Sequence, residues 1–136
     1  MRKIETIVVH HSGNTDTPKK IRDFHVNKNG WDDIGYHFMI SREGNITTGR
    51  NLETIGAHVQ GYNSHSIGIC LLGNFDTEEP KELQLSALNR LINDLIGDLG
   101  LESDCVKFHR DFEGVKKSCP GKNISKELIL NQPKVA

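Results

Sequence analysis

The sequence lacks the features that mark membrane, nucleic-acid-binding and disulfide-stabilised proteins. No apolar run in its 136 residues approaches the roughly 20 residues that span a bilayer. Lys and Arg number 17 and Asp and Glu 18, so no basic excess indicates a nucleic-acid partner. The three cysteines are an odd number, which favours reduced thiols. We therefore expect one soluble domain over residues 1–136, with neither nucleic acid nor membrane as a partner.

A signal-peptide pattern is also missing from the amino-terminal segment. MRKIETIVVHHSG carries two basic residues but only a short apolar run, which histidines interrupt. A signal peptide needs a longer apolar core followed by a cleavage site of small residues. We expect synthesis in the cytoplasm without a signal peptide, so that an extracellular substrate would be reached after release or by non-classical export.

Several common catalytic motifs are absent. The sequence contains no His-Glu-x-x-His helix, no Gly-x-Ser-x-Gly elbow, no glycine loop for phosphate and no Cys-x-x-Cys pair. These absences exclude a thermolysin-like protease, a serine hydrolase of that type and a zinc finger built on close cysteine pairs.

Strand-like and helix-like segments alternate along the chain. β-Branched and apolar runs predict strands over residues 6–11, 36–41, 46–48, 66–73 and 106–109. Helical spacing predicts helices from Thr17-Pro18 to about 29–30, over 79–98 and near 124–130. The apolar stripe of the second helix consists of Leu83, Leu85, Leu88, Leu91, Ile92, Leu95 and Ile96. This order is typical of an α/β domain with a central mixed sheet of five or six strands.

Histidines at the predicted strand ends are the best candidates for chemistry. His10 and His11 end the first strand, His109 ends the last one, and Cys119 follows in the polar loop KKSCPGK. Two imidazoles and a thiolate suit a catalytic zinc ion, which keeps a fourth position open. The residues alone leave two alternatives: each histidine is an ordinary polar residue, or Cys119 and His109 form a nucleophile and base.

Four ordered blocks resemble the zinc-dependent N-acetylmuramoyl-L-alanine amidases, the family of phage endolysins and animal peptidoglycan recognition proteins. The blocks are TIVVHHSGN, FHVNKNGWDDIGYHFMISREGNITTGR, IGAHVQGYNSHSIGICLLGNF and HRDFEGVKKSCPG, and they cover roughly residues 4 to 122. The resemblance implies the amidase fold, one Zn²⁺ per chain and cleavage between the muramic acid lactyl group and L-alanine. Peptidoglycan is the implied substrate, and we expect a monomer.

The resemblance also implies metal ligands. His10, His109 and Cys119 match the zinc ligands of the family. Strand alternation supports His10 over His11, because His10 shares a face with the more polar set of Thr6, Val8 and Ser12.

Four further residues receive roles from the resemblance. Tyr36 and Lys117 match catalytic positions, where a phenol or a cation beside the metal would stabilise an oxyanion. His58 and Asn63 match positions that line the substrate groove. The alternative function is a non-catalytic peptidoglycan-binding domain on the same fold, although such relatives typically lose the cysteine ligand that Cys119 retains. A regulator that binds an intracellular protein is a further alternative, which these residues do not address.

Overall fold

Five strands form one mixed sheet in the computed structural model of the chain, which describes residues 2–31, 33–112 and 118–130. The strands are β1 (Thr6–His11), β2 (Phe38–Ile40), β3 (Ile46–Thr48), β4 (Ser66–Leu71) and β5 (Val106–Phe108). Their order across the sheet is β3-β2-β4-β1-β5. Only β3 runs antiparallel to its neighbour, so the carboxyl ends of β2, β4, β1 and β5 meet at one edge.

The predicted strands are confirmed, with shorter bounds for three of them. β4 ends at Leu71 rather than at residue 73, because Gly73 adopts φ 144°, a conformation that side-chain-bearing residues rarely adopt. β5 ends at Phe108, since a 3-10 turn begins at His109. β2 covers only the last part of the predicted 36–41 segment.

Two of the three α-helices in the described residues begin or end where local capping chemistry dictates. α1 (Pro18–Asn27) begins as predicted, with the Thr17 hydroxyl oxygen accepting a hydrogen bond from the Lys20 N–H at 3.2 Å. α2 (Glu82–Leu99) begins three residues later than predicted: Pro80 disfavours helical backbone at Glu79, and Lys81 is an N-cap with extended backbone. Gly100, at φ 64°, ends α2 in a left-handed cap. The last helix, α3, spans Lys126–Leu130.

One face of the sheet packs against α2 and α3 in a large apolar core. Alternate strand residues point into it, among them Ile7, Val9, Ile67, Ile69 and Leu71. α2 contributes Leu85, Leu88, Ile92 and Leu95, all buried. The predicted stripe of α2 is wrong at Leu83, which is 66% exposed.

The opposite face of the sheet carries most of the small and polar side chains, beside a smaller apolar cluster that includes Ile21, Met39 and Leu72. The residues there alternate with those of the apolar core, and they include His10, His37, Ser66, Gly68 and Cys70. Among the residues that the structure describes, no helix is long and apolar enough to span a membrane. All three cysteines are free thiols, in agreement with the sequence.

Candidate metal centre

His10 lies near the carboxyl end of β1, a strand flanked by β4 and β5. Its ring is 1% exposed and lies on the polar face of the sheet. His11 points to the other face, where its Nδ1 accepts a hydrogen bond from the Phe75 N–H at 3.2 Å. Strand alternation therefore separates the adjacent histidines, and only His10 reaches the candidate centre.

His109 enters the same site from β5. It begins a 3-10 turn that the Asp111 carboxylate supports by accepting a hydrogen bond from the Phe108 N–H at 2.8 Å. Lys126 forms a 2.7 Å ion pair with Asp111. The ring centroids of His109 and His10 lie 4.7 Å apart. The end of β5 and this turn thus place the second imidazole beside the first.

Cys119 completes the cluster from a loop that crosses the edge of the sheet. Its Sγ lies 3.7 Å from His10 Nδ1 and accepts a hydrogen bond from the His11 N–H at 3.4 Å. The side chain is buried, at 8% exposure. The sulfur therefore faces the His11 N–H and lies beside the His10 ring.

Arg110 and Asp76 hold the loop that carries Cys119. The Arg110 guanidinium donates hydrogen bonds to the backbone oxygens of Ser118 at 3.1 Å and Gly121 at 2.7 Å. Asp76 accepts hydrogen bonds from the Ser118 hydroxyl at 2.7 Å and the Lys122 N–H at 2.9 Å. These two bonds hold the pKa of the Asp76 carboxyl below its usual value. The thiol is therefore positioned by several backbone contacts rather than by one.

The three side chains fit a metal ion. One ligand atom from each of His10, His109 and Cys119 lies within 4.8 Å of the others. Tetrahedral zinc, with nitrogen at about 2.0–2.1 Å and sulfur at about 2.3 Å, separates its ligand atoms by roughly 3.3–3.8 Å. The 3.7 Å between His10 Nδ1 and Cys119 Sγ lies in this range, and a small inward movement would bring all three to it.

Tyr36 lies next to the cluster as a hydrogen-bond donor. Its ring centroid is 5.2 Å from that of His10. Burial, and then the neighbouring Cys70 and Cys119 thiols, raise the pKa of the Tyr36 hydroxyl well above its usual value. The phenol therefore keeps its proton at physiological pH, and it can donate a hydrogen bond to an oxygen that gains negative charge.

A cleft of about 500 Å³ opens over the cluster. Its walls include Trp31, Tyr36 and His58 beside the three candidate ligands. A second depression of about 240 Å³ shares Ser12, His25 and Tyr36 with it. Together they form an extended groove, as a polymer or peptide substrate requires.

The two residues expected in the substrate groove occupy different settings. His58 lines the cleft, but its ring nitrogens lie 2.9 Å from His10 Nε2 and 3.3 Å from Ser66 Oγ. Asn63 Oδ1 accepts hydrogen bonds from the N–H groups of His58 and Val59, at 3.1 and 2.8 Å, and so supports the loop. Contact of either residue with substrate stays a prediction.

Burial, with smaller contributions from the neighbouring His37, His109, Arg2 and Arg50, lowers the pKa of His58 to about 3. Its ring is therefore neutral at physiological pH. Lys117 lies outside the described residues, so its catalytic role stays a prediction.

The contact between His58 and His10 was missed by sequence reasoning. One signal for it was present: Gly68 interrupts an apolar strand, and an isolated glycine in a strand often marks close approach of another group. A Cβ at Gly68 would lie 2.7 Å from the His58 ring.

Comparisons with known proteins support this fold. The sequence pattern of the N-acetylmuramoyl-L-alanine amidase family matches residues 1–122. The chain is 36% identical over 113 residues to the endolysin of Enterobacteria phage K11, covering 79% of this chain and 72% of that protein. It is 35% identical over 131 residues to peptidoglycan-recognition protein SC2 of Drosophila melanogaster, covering 89% and 70%.

A solved structure shows the same architecture. N-acetylmuramoyl-L-alanine amidase LysC from Clostridium intestinale URNW superposes with a TM-score of 0.86 at 34% identity, covering 94% of this chain and 83% of that one. The chain therefore belongs to the N-acetylmuramoyl-L-alanine amidase family, with both endolysins and peptidoglycan recognition proteins among its relatives.

Proposed function

We propose that the chain is a zinc-dependent hydrolase that cleaves the amide between the lactyl group of N-acetylmuramic acid and the L-alanine of the stem peptide. The observation that carries the proposal is the cluster of His10, His109 and Cys119 at the floor of the groove, in a member of an amidase family. In this proposal those three side chains hold one Zn²⁺. When bound, zinc polarises a carbonyl oxygen as a Lewis acid and makes water more acidic.

Tyr36 serves the reaction as a neutral donor. Attack on an amide carbonyl places negative charge on its oxygen, and a preorganised donor at that point lowers the barrier. The raised pKa keeps the proton on the Tyr36 hydroxyl, so the phenol can donate a hydrogen bond to that oxygen. Trp31 and His25, in the wall of the groove, offer ring surfaces that would exclude water from the sugar and peptide.

The alternative is a non-catalytic domain that binds peptidoglycan, and one observation bears on the choice. A recognition domain needs the groove but not a thiol beside two imidazoles. Here Cys119 is buried against His10 and held by Arg110 and the His11 N–H, an arrangement that suits a metal ligand. We therefore place hydrolysis ahead of recognition.

Mass spectrometry of digested, purified peptidoglycan tests the proposal. We expect free stem peptides with an L-alanine amino terminus and glycan strands with free lactyl carboxylates. A chelator should stop the release, and added zinc should restore it. New reducing sugar ends, or cuts within the stem peptide, would contradict the proposed bond. Stoichiometric zinc without any product would instead indicate the recognition domain.

The ligand assignment has a matched control. Cys119→Ser should lose both zinc and product while remaining folded. Cys105→Ser, which changes another buried thiol outside the cluster, should keep both. Equal loss in the two variants would show that the effect comes from folding and not from the metal.

Lys117 is assigned a catalytic role by the family resemblance alone. Lys117→Ala should lower turnover and leave zinc content unchanged, because a cation near the oxyanion contributes to the reaction and not to metal binding. Lys116→Ala is the control for the loss of one positive charge. Equal turnover in both variants and the parent would remove Lys117 from the mechanism.

A further inference from the structure

A line of hydrogen bonds runs from His10 to the backbone of the groove loop. His10 Nε2 lies 2.9 Å from His58 Nδ1, and His58 Nε2 lies 3.3 Å from Ser66 Oγ. Ser66 Oγ in turn lies 2.9 Å from the Tyr62 carbonyl oxygen. The line therefore joins the candidate metal ligand on β1 to a carbonyl oxygen through two side chains.

The carbonyl end of the line determines the direction of every bond in it. A carbonyl oxygen only accepts, so the single hydroxyl hydrogen of Ser66 points to Tyr62. Ser66 must then accept from His58, which places the ring hydrogen of His58 on Nε2. The reverse arrangement would bring two acceptor oxygens together at 2.9 Å without a hydrogen between them.

The direction of the line determines the tautomer of His10. A neutral imidazole carries one ring hydrogen, so a hydrogen on Nε2 of His58 leaves its Nδ1 as an acceptor. His10 then donates from Nε2 and has an unprotonated Nδ1. That atom is the one that lies 3.7 Å from Cys119 Sγ, and an imidazole nitrogen must be unprotonated to bind a metal.

The backbone around His58 is shaped to admit its ring. A Cβ at Gly68 of β4 would lie 2.7 Å from the His58 ring, and a Cβ at Gly56 would lie 2.8 Å from it. Ser66 and Gly68 are alternate residues on the same face of β4, so one strand supplies both the acceptor and the space. The ring could not occupy this position if either glycine carried a side chain.

We propose that His58 is a positioning residue that, together with Ser66, selects the His10 tautomer able to bind the metal through Nδ1. The inference rests on the proposed metal site and assigns His58 a role other than substrate contact. Ring nitrogens of metal-binding histidines are commonly oriented in this way by an outer partner, whose loss costs about 10–100-fold in metal affinity.

NMR of the full chain, labelled with ¹⁵N and kept free of substrate, tests the tautomer directly. In the chelator-treated protein near neutral pH, we expect His10 Nε2 to be protonated and His10 Nδ1 unprotonated. A scalar coupling across the hydrogen bond should join His10 Nε2 to His58 Nδ1. Zinc should shift His10 Nδ1 and leave the hydrogen on Nε2. A hydrogen on His10 Nδ1 in the metal-free protein would overturn the proposal.

Zinc affinity, measured by competition with a chelator, tests the energetic role. His58→Leu removes the acceptor and should weaken zinc binding by about 10–100-fold. His58→Asn can present an amide oxygen near the position of Nδ1 and should bind more tightly than His58→Leu. His65→Leu, at an exposed histidine on the same loop, is the control and should match the parent. Parent-like zinc affinity in His58→Leu, or equal losses in the Leu and Asn variants, would overturn the proposal.

Ser66→Ala is a second test of the proposal, and it leaves the His58 ring in place. It removes the hydroxyl that orients His58, so zinc binding should weaken less than in His58→Leu, and His10 should show both tautomers. An unchanged spectrum would overturn the role of Ser66. These readouts need no substrate, so absence of amide cleavage would defeat the proposed function and leave this inference standing.

Discussion

The two faces of the sheet are formed by the same strands but carry different kinds of side chain. On the face covered by α2 and α3, isoleucine, valine and leucine residues form one dry core. On the opposite face, most of the alternate residues of β1 and β4 are small or polar, among them His10, Ser66, Gly68 and Cys70, and the apolar cluster there is smaller. The comparison shows that a period-two pattern can divide stability and chemistry between the two sides of one strand.

The two faces should therefore respond differently to substitution. The apolar face stabilises the protein through buried area and close packing, so a lost side chain should cost folding free energy. The polar face depends on hydrogen-bond direction and on space for rings, so a lost atom there should cost metal affinity or turnover before stability.

Leu88→Ala, on the apolar face, should have the largest effect on folding. Leu88 is fully buried, and the cavity left behind should cost about 2–5 kcal/mol of unfolding free energy in urea denaturation. Zinc affinity of the folded protein should not change. Leu83→Ala, on the same helix but 66% exposed, is the control and should be close to neutral. A changed zinc affinity in Leu88→Ala would break the separation of the faces.

Tyr36→Phe, at the site, should have the next largest effect, on turnover alone. Removing one oxyanion donor typically costs about 10²–10³ in kcat, or about 2.7–4 kcal/mol of activation free energy. Zinc content should stay at the parent level, because the tyrosine is not one of the three candidate ligands. Tyr62→Phe, at the other tyrosine, should keep parent turnover. Turnover within a few fold of the parent in Tyr36→Phe would remove the phenol from the chemistry.

His37, also on the polar face, should make the folded state sensitive to acid. Burial lowers its pKa from 6.5 to about 4, while its Nδ1 accepts a hydrogen bond from the Gly68 N–H at 3.0 Å. The unfolded chain binds this proton more readily, so the contribution to stability is present above pH 6.5 and lost as the pH falls towards 4. The difference between the ordinary histidine pKa of 6.5 and the pKa of about 4 in the folded protein corresponds to about 3 kcal/mol of unfolding free energy.

Urea unfolding at pH 7 and pH 4, with chelator present, measures this loss. His37→Asn can keep an acceptor for the Gly68 N–H but cannot take up the proton. We expect the free energy of unfolding of the variant to fall less than that of the parent between pH 7 and pH 4. His58, whose pKa is also lowered, should add the same acid sensitivity to both proteins. Equal losses in the parent and the variant would show that His37 does not carry the pH dependence.

Gly68→Ala should have the smallest of these effects and should sharpen the comparison. The new Cβ would lie 2.7 Å from the His58 ring, and such overpacking costs about 1–3 kcal/mol. Displacement of His58 should also weaken zinc binding. Gly97→Ala, on α2 with nothing within 4 Å of the new Cβ, should instead stabilise the protein by about 0.5–1 kcal/mol. Parent-like zinc binding in Gly68→Ala would show that displacement of the His58 ring does not affect zinc affinity.

Much of the fold could be predicted from local patterns. The strand segments, the Thr17-Pro18 start of α1 and the end of α2 at Gly100 all follow from propensity and capping. The start of α2 and the exposure of Leu83 could not be predicted as well. The spacing of apolar residues does not include the effect of Pro80 on the backbone before it. The spacing also does not show which leucines of α2 lie beyond the edge of the apolar core and stay exposed.

The candidate site was predictable in its ligand types but not in its supporting contacts. His10, His109 and Cys119 stand out by their positions and by the family resemblance, and the structure brings them together. The contact of His58 with His10 was not predictable, because Ser66 and Gly68 read only as part of an apolar strand. The assignment of Lys117 and the substrate contacts of His58 and Asn63 stay predictions.

The sequence by itself determined which side of each strand is apolar, where the helices stop and which residue types can bind a metal, because these depend on neighbours a few positions away. Tertiary structure alone decided that His10 meets His58, 48 positions along the chain, and Cys119, 109 positions along it. The tautomer inferred for His10 follows from the direction of hydrogen bonds between such distant groups. That direction depends on separations of a few ångströms, which only the folded chain establishes.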